Sequence, residues 1–150
     1  MLEDAPIGYK EIVRVFGDCD DPKFEAKNIV IFPLPYPLWY DGNQVLRARC
    51  HKLLVENFTA VFEEIKDQGF TEQVKNYSGI YNKRPIRGLR RPSTHSFGIS
   101  IDLEASKYPL GSAKRFPQEI VDIWRKFGFH YGGDFIGRKD PMHFQFARGY

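Results

Sequence analysis

The sequence predicts an α+β fold, with helices packed on one side of a small antiparallel sheet. Three observations point there: an apolar periodicity of helical spacing between Val45 and Ile65, short strand-like runs such as "NIVIFPLP" and "MHFQFARG", and the absence of any internal repeat or low-complexity linker. At 150 residues the chain has the length of one ordinary domain, so a single domain over 1–150 is expected, large enough to bury a core unaided.

The elements follow in order. Residues 1–27 are mixed and acidic, with "GDCDDP" as a turn. "NIVIFPLP" at 28–35 has the β-branched run of a short strand, stopped by prolines that cannot donate to a ladder. Val45, Leu46, Leu53, Leu54, Phe58, Val61, Phe62 and Ile65 then fall near one helix face, predicting a long helix over 45–65 that Gly69 terminates. His51 inside it is expected to pack or to cap. "GIYNKRPIRGLRRPSTHSFGISIDLE" reads as strand, basic loop, strand. A second helix is expected at 116–129, opened near Pro117 and ended near Gly128, with Trp124 and Phe127 in the core. "GGDFIGRKDP" is a loop, and His130 before it is expected on the rim or the surface. "MHFQFARG" closes the fold as a strand, His143, Gln145 and Ala147 on one face and Met142, Phe144 and Phe146 on the other.

Composition narrows the function classes. With 42% hydrophobic and 27% charged residues the chain is a folded protein rather than a disordered one. The net charge of +3 is mild, and the basic residues are dispersed except for "KRPIRGLRRP" at 83–92. That cluster leaves a local anion site open but lacks the interleaved aromatics of a nucleic-acid binder, so no nucleic-acid partner is expected. Two cysteines, Cys19 and Cys50, form no CxxC pair, which argues against a disulfide framework or a thiolate metal site. The N-terminus shows no basic segment leading into an apolar run, and no stretch approaches the roughly 20 apolar residues of a membrane span. The expectation is a monomer made in the cytoplasm without a signal peptide.

The chemistry concentrates in "STHSFGISID" at 93–102. His95 and Asp102 lie at an odd separation and would face opposite sides of an unbroken strand; Gly98 permits a bend, and a loop before the strand lets His95 swing back toward Asp102. "KDPMHF" supplies Asp140 and His143. Two imidazoles and one carboxylate form a three-ligand set that suits zinc and leaves a fourth position for water. Asp140, three residues before His143 and held by Pro141, is placed as a carboxylate that takes a proton rather than a metal. The spacing equally allows a core histidine at 95, a strand-end cap at 102 and an ordinary strand residue at 143.

"SxHxxGxxxD", followed by "GGDF" and "DxxHF", resembles the peptidase M15 family, the zinc D,D-carboxypeptidases and peptidoglycan endopeptidases that include VanY-like enzymes and phage endolysins. "VFG" at 15–17, "HKLLVENFTAVFEEI" at 51–65 and "GIYNKRPIRG" at 79–88 are similar to its phage and bacterial branch. The resemblance implies a Hedgehog/D,D-peptidase-like fold and Zn2+ held by His95, Asp102 and His143. It further implies Asp140 as general base and acid toward a zinc-bound water, and an oxyanion-stabilising arginine, Arg84 or, next, Arg87. Phe135 stands where the family usually has tryptophan, and Ser100 where many relatives have alanine; an aromatic and a small residue are retained. Ser93, Asp134 and Phe135 are candidate substrate-side residues, with Ser93 alternatively capping a turn. The implied substrate is a peptidoglycan stem peptide or cross-link, reached at the cell wall by holin or another export route. The competing expectation is a catalytically inactive, zinc-stabilised cell-wall-binding or phage structural module.

Overall fold

Asp41 and Gly42 both take positive φ, 49° and 77°, the turn chemistry that lets two strands meet with matching twist. Around them the computed structural model, which describes residues 1–150, builds its longest strand pair: β1 (Ile29–Tyr40) antiparallel to β2 (Asn43–His51). The sequence expectation is corrected here twice. The strand does not stop at its prolines, because β1 has no strand along its other side, only a single bridge from Trp39 to Asn76 beyond the prolines, and a ladder irregularity between Pro33 and Leu38 absorbs Pro35 and Pro37. Residues 45–51 are strand rather than helix, and the true helix, α3, runs only over Val55–Asp67, behind a short 3-10 turn at Lys52–Leu54. Along β1 the buried residues are Phe32, Tyr36 and Leu38, with exposed residues at Ile31, Pro33, Pro37 and Trp39, the alternation of a half-buried strand.

Two helices precede the hairpin where the sequence suggested none: α1 (Gly8–Phe16), burying Ile12 and Phe16, and the short α2 (Phe24–Asn28), burying Phe24. α3 buries Asn57, Phe58, Val61, Phe62 and Ile65, the spacing of one helix face. α4 (Gln118–Lys126) lies inside the predicted span and buries Trp124; Phe127, just past its end, is only half-buried. No helix is long and apolar enough to cross a membrane.

A second sheet carries the site. Its four strands, β3 (Tyr77–Gly79), β4 (Ser100–Leu103), β5 (His130–Tyr131) and β6 (His143–Gln145), lie in the order β3-β4-β6-β5, all antiparallel. The closing strand is thus shorter than the 142–149 expected. In β4 and β6 the alternation sorts chemistry by face: Ile101, Leu103 and Phe144 turn to the core, while Ser100, Asp102, His143 and Gln145 share the other side. The helices cover the apolar side through aromatic contacts. Trp124 of α4 stacks on Phe144 at 4.7 Å and meets Phe62 of α3 edge-on at 5.7 Å. Each such fully buried aromatic contributes roughly 1.5–3 kcal/mol by leaving water. The α+β expectation, with helices on one side of a small antiparallel sheet, therefore holds.

Candidate metal centre

Register brings the first two candidates together. Asp102 and His143 are direct cross-strand partners, so their side chains emerge side by side, and Asp102 Oδ1 lies 2.9 Å from His143 Nδ1. His95 arrives from outside the sheet. It sits in a 3-10 turn, Thr94–Phe97, rather than in a strand; Ser93 starts the turn by accepting the His95 N–H at 3.2 Å, and Gly98 ends it with φ 70°. Gly98 is required for space as well as for conformation, since a Cβ there would stand 2.7 Å from Ile29 Cδ1 and 2.8 Å from His51 N. The bend directs His95 Nε2 to within 3.1 Å of Asp102 Oδ2. His95, Asp102 and His143 thus offer ligand atoms all within 4.8 Å of one another.

Hydrogen bonds fix the polarity of both imidazoles. His95 Nδ1 is 2.8 Å from the Ile80 carbonyl, an obligate acceptor, so Nδ1 carries the proton and Nε2 the lone pair. Nε2 is buried, and although it is near Asp102 the alignment is not that of a hydrogen bond, which leaves it without a partner. His143 Nε2 lies 2.8 Å from Gln145 Oε1, so its proton is engaged there and the Nδ1 lone pair faces Asp102. Two imidazole lone pairs and a carboxylate therefore converge in a buried space. A cation satisfies all three together; these donors and their tautomers fit zinc. Protons are the protein's own substitute. His143 is pulled down in pKa by burial, but the Asp102 hydrogen bond and charge reverse this and the net shift is upward. Asp102 experiences burial that opposes its ionisation, yet the imidazoles beside it win and hold it well below the usual carboxylate range.

Asp140 stands just off this group, its Oδ2 3.9 Å from His143 Nδ1. The turn that presents it is tied by Asp140 N–H donating to Gly132 O at 3.0 Å and His143 N–H donating to Asp140 O at 3.1 Å. Gly132 must be glycine for proximity: a Cβ there would lie 2.2 Å from Asp140 O. Burial raises the Asp140 pKa and Asp102 adds to the rise, against the opposing charges of His143, His95 and Arg84. A carboxyl biased upward in this way is suited to accept and return a proton.

A cavity of about 120 Å³ opens over these groups, lined among others by Arg84, Arg87, Ser93, Phe135 and Asp140. It adjoins a larger groove of about 750 Å³ with which it shares Phe135, Arg138 and Asp140. Phe135 forms a wall, its ring centroid 6.0 Å from that of His143. Asp134 lies in the outer groove, not the central cavity, and its carboxylate is taken by Arg115 at 2.7 Å and by Arg125. Ser93 caps the His95 turn, the second of its two expected roles. His51 stays outside the site: its Nε2–H donates to Phe16 O at 2.8 Å and its Nδ1 accepts Leu53 N–H at 3.2 Å, so it both packs and caps, at a strand end rather than within a helix.

Sequence reasoning missed several contributors. Ile80 acts through its backbone carbonyl, which leaves no sequence signal, and Thr94 through its hydroxyl, which donates to Ser100 Oγ at 2.9 Å. Arg138 lines the cavity with the guanidinium donating to Arg87 O at 2.9 Å, and only its place beside the "KDPMH" run hinted at it.

Residues 87–146 match the family model described as D-alanyl-D-alanine carboxypeptidase. That segment, less than half of the chain, is similar to the peptidase M15 family. The M15 match takes in the His95 turn, Asp102, Asp140 and His143, and it supports a peptidase; Arg84 and Ile80 lie before it. No curated protein matches the chain.

Proposed function

We propose that the protein is a zinc-dependent peptidase that hydrolyses peptide bonds in peptidoglycan stem peptides or cross-links. The observation that carries this reading is the convergence of the His95 Nε2 and His143 Nδ1 lone pairs on the Asp102 carboxylate, with Asp140 beside them. His95, Asp102 and His143 would hold the zinc. When bound, it polarises a scissile carbonyl and makes water acidic enough to attack near neutral pH. Asp140 takes the proton of the attacking water on its carboxylate and returns it to the nitrogen of the departing amine, so the two half-reactions balance in protons. Arg84 and Arg87, lining the same cavity, supply positive charge to the oxyanion that forms at the attacked carbonyl. Phe135 offers an apolar wall to the peptide. The described activity of the matched M15 family supports the peptidase class and a cell-wall peptide as substrate.

The deciding experiment is digestion of purified peptidoglycan by zinc-loaded protein and by Asp140→Asn, with fragments identified by mass spectrometry. The native protein is expected to release peptide fragments that define the bond cut, and Asp140→Asn to bind zinc with turnover reduced by about 10²–10⁴. Intact walls of several chemotypes after exposure to the native protein would instead favour a zinc-stabilised binding module, and an active Asp140→Asn would remove that carboxylate from the mechanism.

A further inference from the structure

We propose that Gln145 is a positioning residue that selects the metal-binding tautomer of His143 and holds its ring in register with Asp102. The proposal rests on the zinc reading of the site. Gln145 is two residues beyond His143 on the same face of β6, directly across from Ser100 of β4, and only 3% of it is exposed. A buried amide can sit either way round, and here the main chain decides. Its Nε2 donates to Ala147 O at 3.3 Å, a group that can only accept, so Oε1 must be the end turned toward His143. Oε1 accepts the His143 Nε2–H at 2.8 Å. With that proton committed, Nδ1 keeps its lone pair, 2.9 Å from Asp102 Oδ1.

The order of polarity runs from the backbone through one side chain to the ligand. His95 receives the same service from a backbone carbonyl, Ile80 O, at 2.8 Å. The difference is consequential: a carbonyl of the main chain cannot be mutated, whereas the orientation of His143 depends on a replaceable side chain. Thr94 and Ser100 close the space around the amide. The Thr94 hydroxyl donates to Ser100 Oγ at 2.9 Å and lies 3.4 Å from both Gln145 Oε1 and His143 Nε2, so neither the amide nor the ring has room to swing away. This gives a role to Ser100, whose hydroxyl is the nearer acceptor for Thr94 and leaves Gln145 Oε1 to the His143 N–H. An amide also serves here without adding charge to a face already occupied by Asp102 and Asp140.

Two readouts independent of turnover test the assignment. Zinc affinity is measured by chelator competition for the native protein, Gln145→Met and Gln145→Glu. Methionine keeps the volume without the acceptor, and glutamate keeps the acceptor. Gln145→Met is expected to bind zinc about 10- to 100-fold more weakly, and Gln145→Glu to lie closer to native. Equal affinity of native and Gln145→Met would overturn the role of Gln145 alone, while a native protein that binds no zinc would remove the zinc reading and this role together. Should Gln145→Met fail to fold, the native protein still decides: with 113Cd in place of zinc and 15N-labelled histidine, scalar coupling is expected through Nδ1 of His143 and Nε2 of His95. Coupling through Nε2 of His143 would refute the proposal.

Discussion

His51 offers a test of the fold that does not touch the metal centre. Both its nitrogens are committed in the neutral form: Nε2–H donates to Phe16 O and Nδ1 accepts from Leu53 N–H. Protonating Nδ1 would turn two donors against each other inside an aromatic cage, with the Phe16 ring 4.9 Å and the Phe24 ring 5.9 Å away. Burial accordingly lowers its pKa from 6.5 to about 4, the Phe16 bond opposing only in part. The unfolded chain then binds the proton in a range where the native chain does not. Stability from this residue is fully present above pH 6.5, falls as the pH drops toward 4, and levels off below. A depression of this size corresponds to on the order of 3 kcal/mol at ~1.4 kcal/mol per pH unit, a large part of a typical domain's ~5–15 kcal/mol. The assay is urea unfolding from pH 7 to 4 for the native protein and His51→Gln, whose difference isolates this residue from His95 and His143. NMR titration of the His51 ring provides a direct check. A midpoint near 6 or above, or a native-minus-variant difference that stays flat across the window, would refute the reasoning.

Three further outcomes follow from the geometry. Gly132→Ala inserts a Cβ 2.2 Å from Asp140 O, so it should cost ~1–3 kcal/mol in urea unfolding and lower kcat by more than that loss of stability explains. Because Arg84 is among the charges that hold the Asp140 pKa down, Arg84→Ala should move the acidic limit of kcat/KM to higher pH, while Arg90→Ala leaves it in place; an unmoved limit would detach Arg84 from Asp140. Stripping metal with a chelator should lower Tm reversibly, zinc at 100 times its Kd restoring about 2.7 kcal/mol, and a Tm indifferent to zinc would count against the metal centre.

Much of the site was legible in the sequence because its chemistry is concentrated in two short runs. "STHSFGISID" and "DPMH" supply every proposed ligand, and Gly98 signalled the bend that the left-handed φ of 70° now provides. The fold was read less well, and one element shows why. Val45 and Leu46 joined a helical pattern that belongs only to the residues after Val55, because two apolar residues at a strand start are compatible with either period. The better signal was Asp41-Gly42 between "YPLWY" and "NQVLR", a hairpin turn that outweighs a loose periodicity. The prolines of β1 misled in the opposite direction, since they forbid a central strand but not one with an open edge. α1 escaped because it fully buries only Ile12 and Phe16, with Val13 and Val15 partly buried beside them, a short run within an acidic segment. Ile80 and the orientation of Gln145 were beyond reach for a different reason: a backbone carbonyl has no residue code, and an amide's direction is decided by neighbours distant in sequence.

The two-sided ribbon of β4 and β6 has one more consequence. Asp102 meets His143 only while Ile101 faces Phe144, because both pairings belong to a single register. A slip of one residue would set Asp102 opposite Phe144 on one face, so that either the carboxylate enters the aromatic layer around Trp124 or Phe144 turns out to water, and His143 no longer stands beside Asp102. The greasy side therefore proofreads the wet side: a chain that pairs these strands wrongly loses its core and its ligands in the same step. Metal uptake during refolding should then report correct strand pairing, arriving with the burial of Trp124 and not before it.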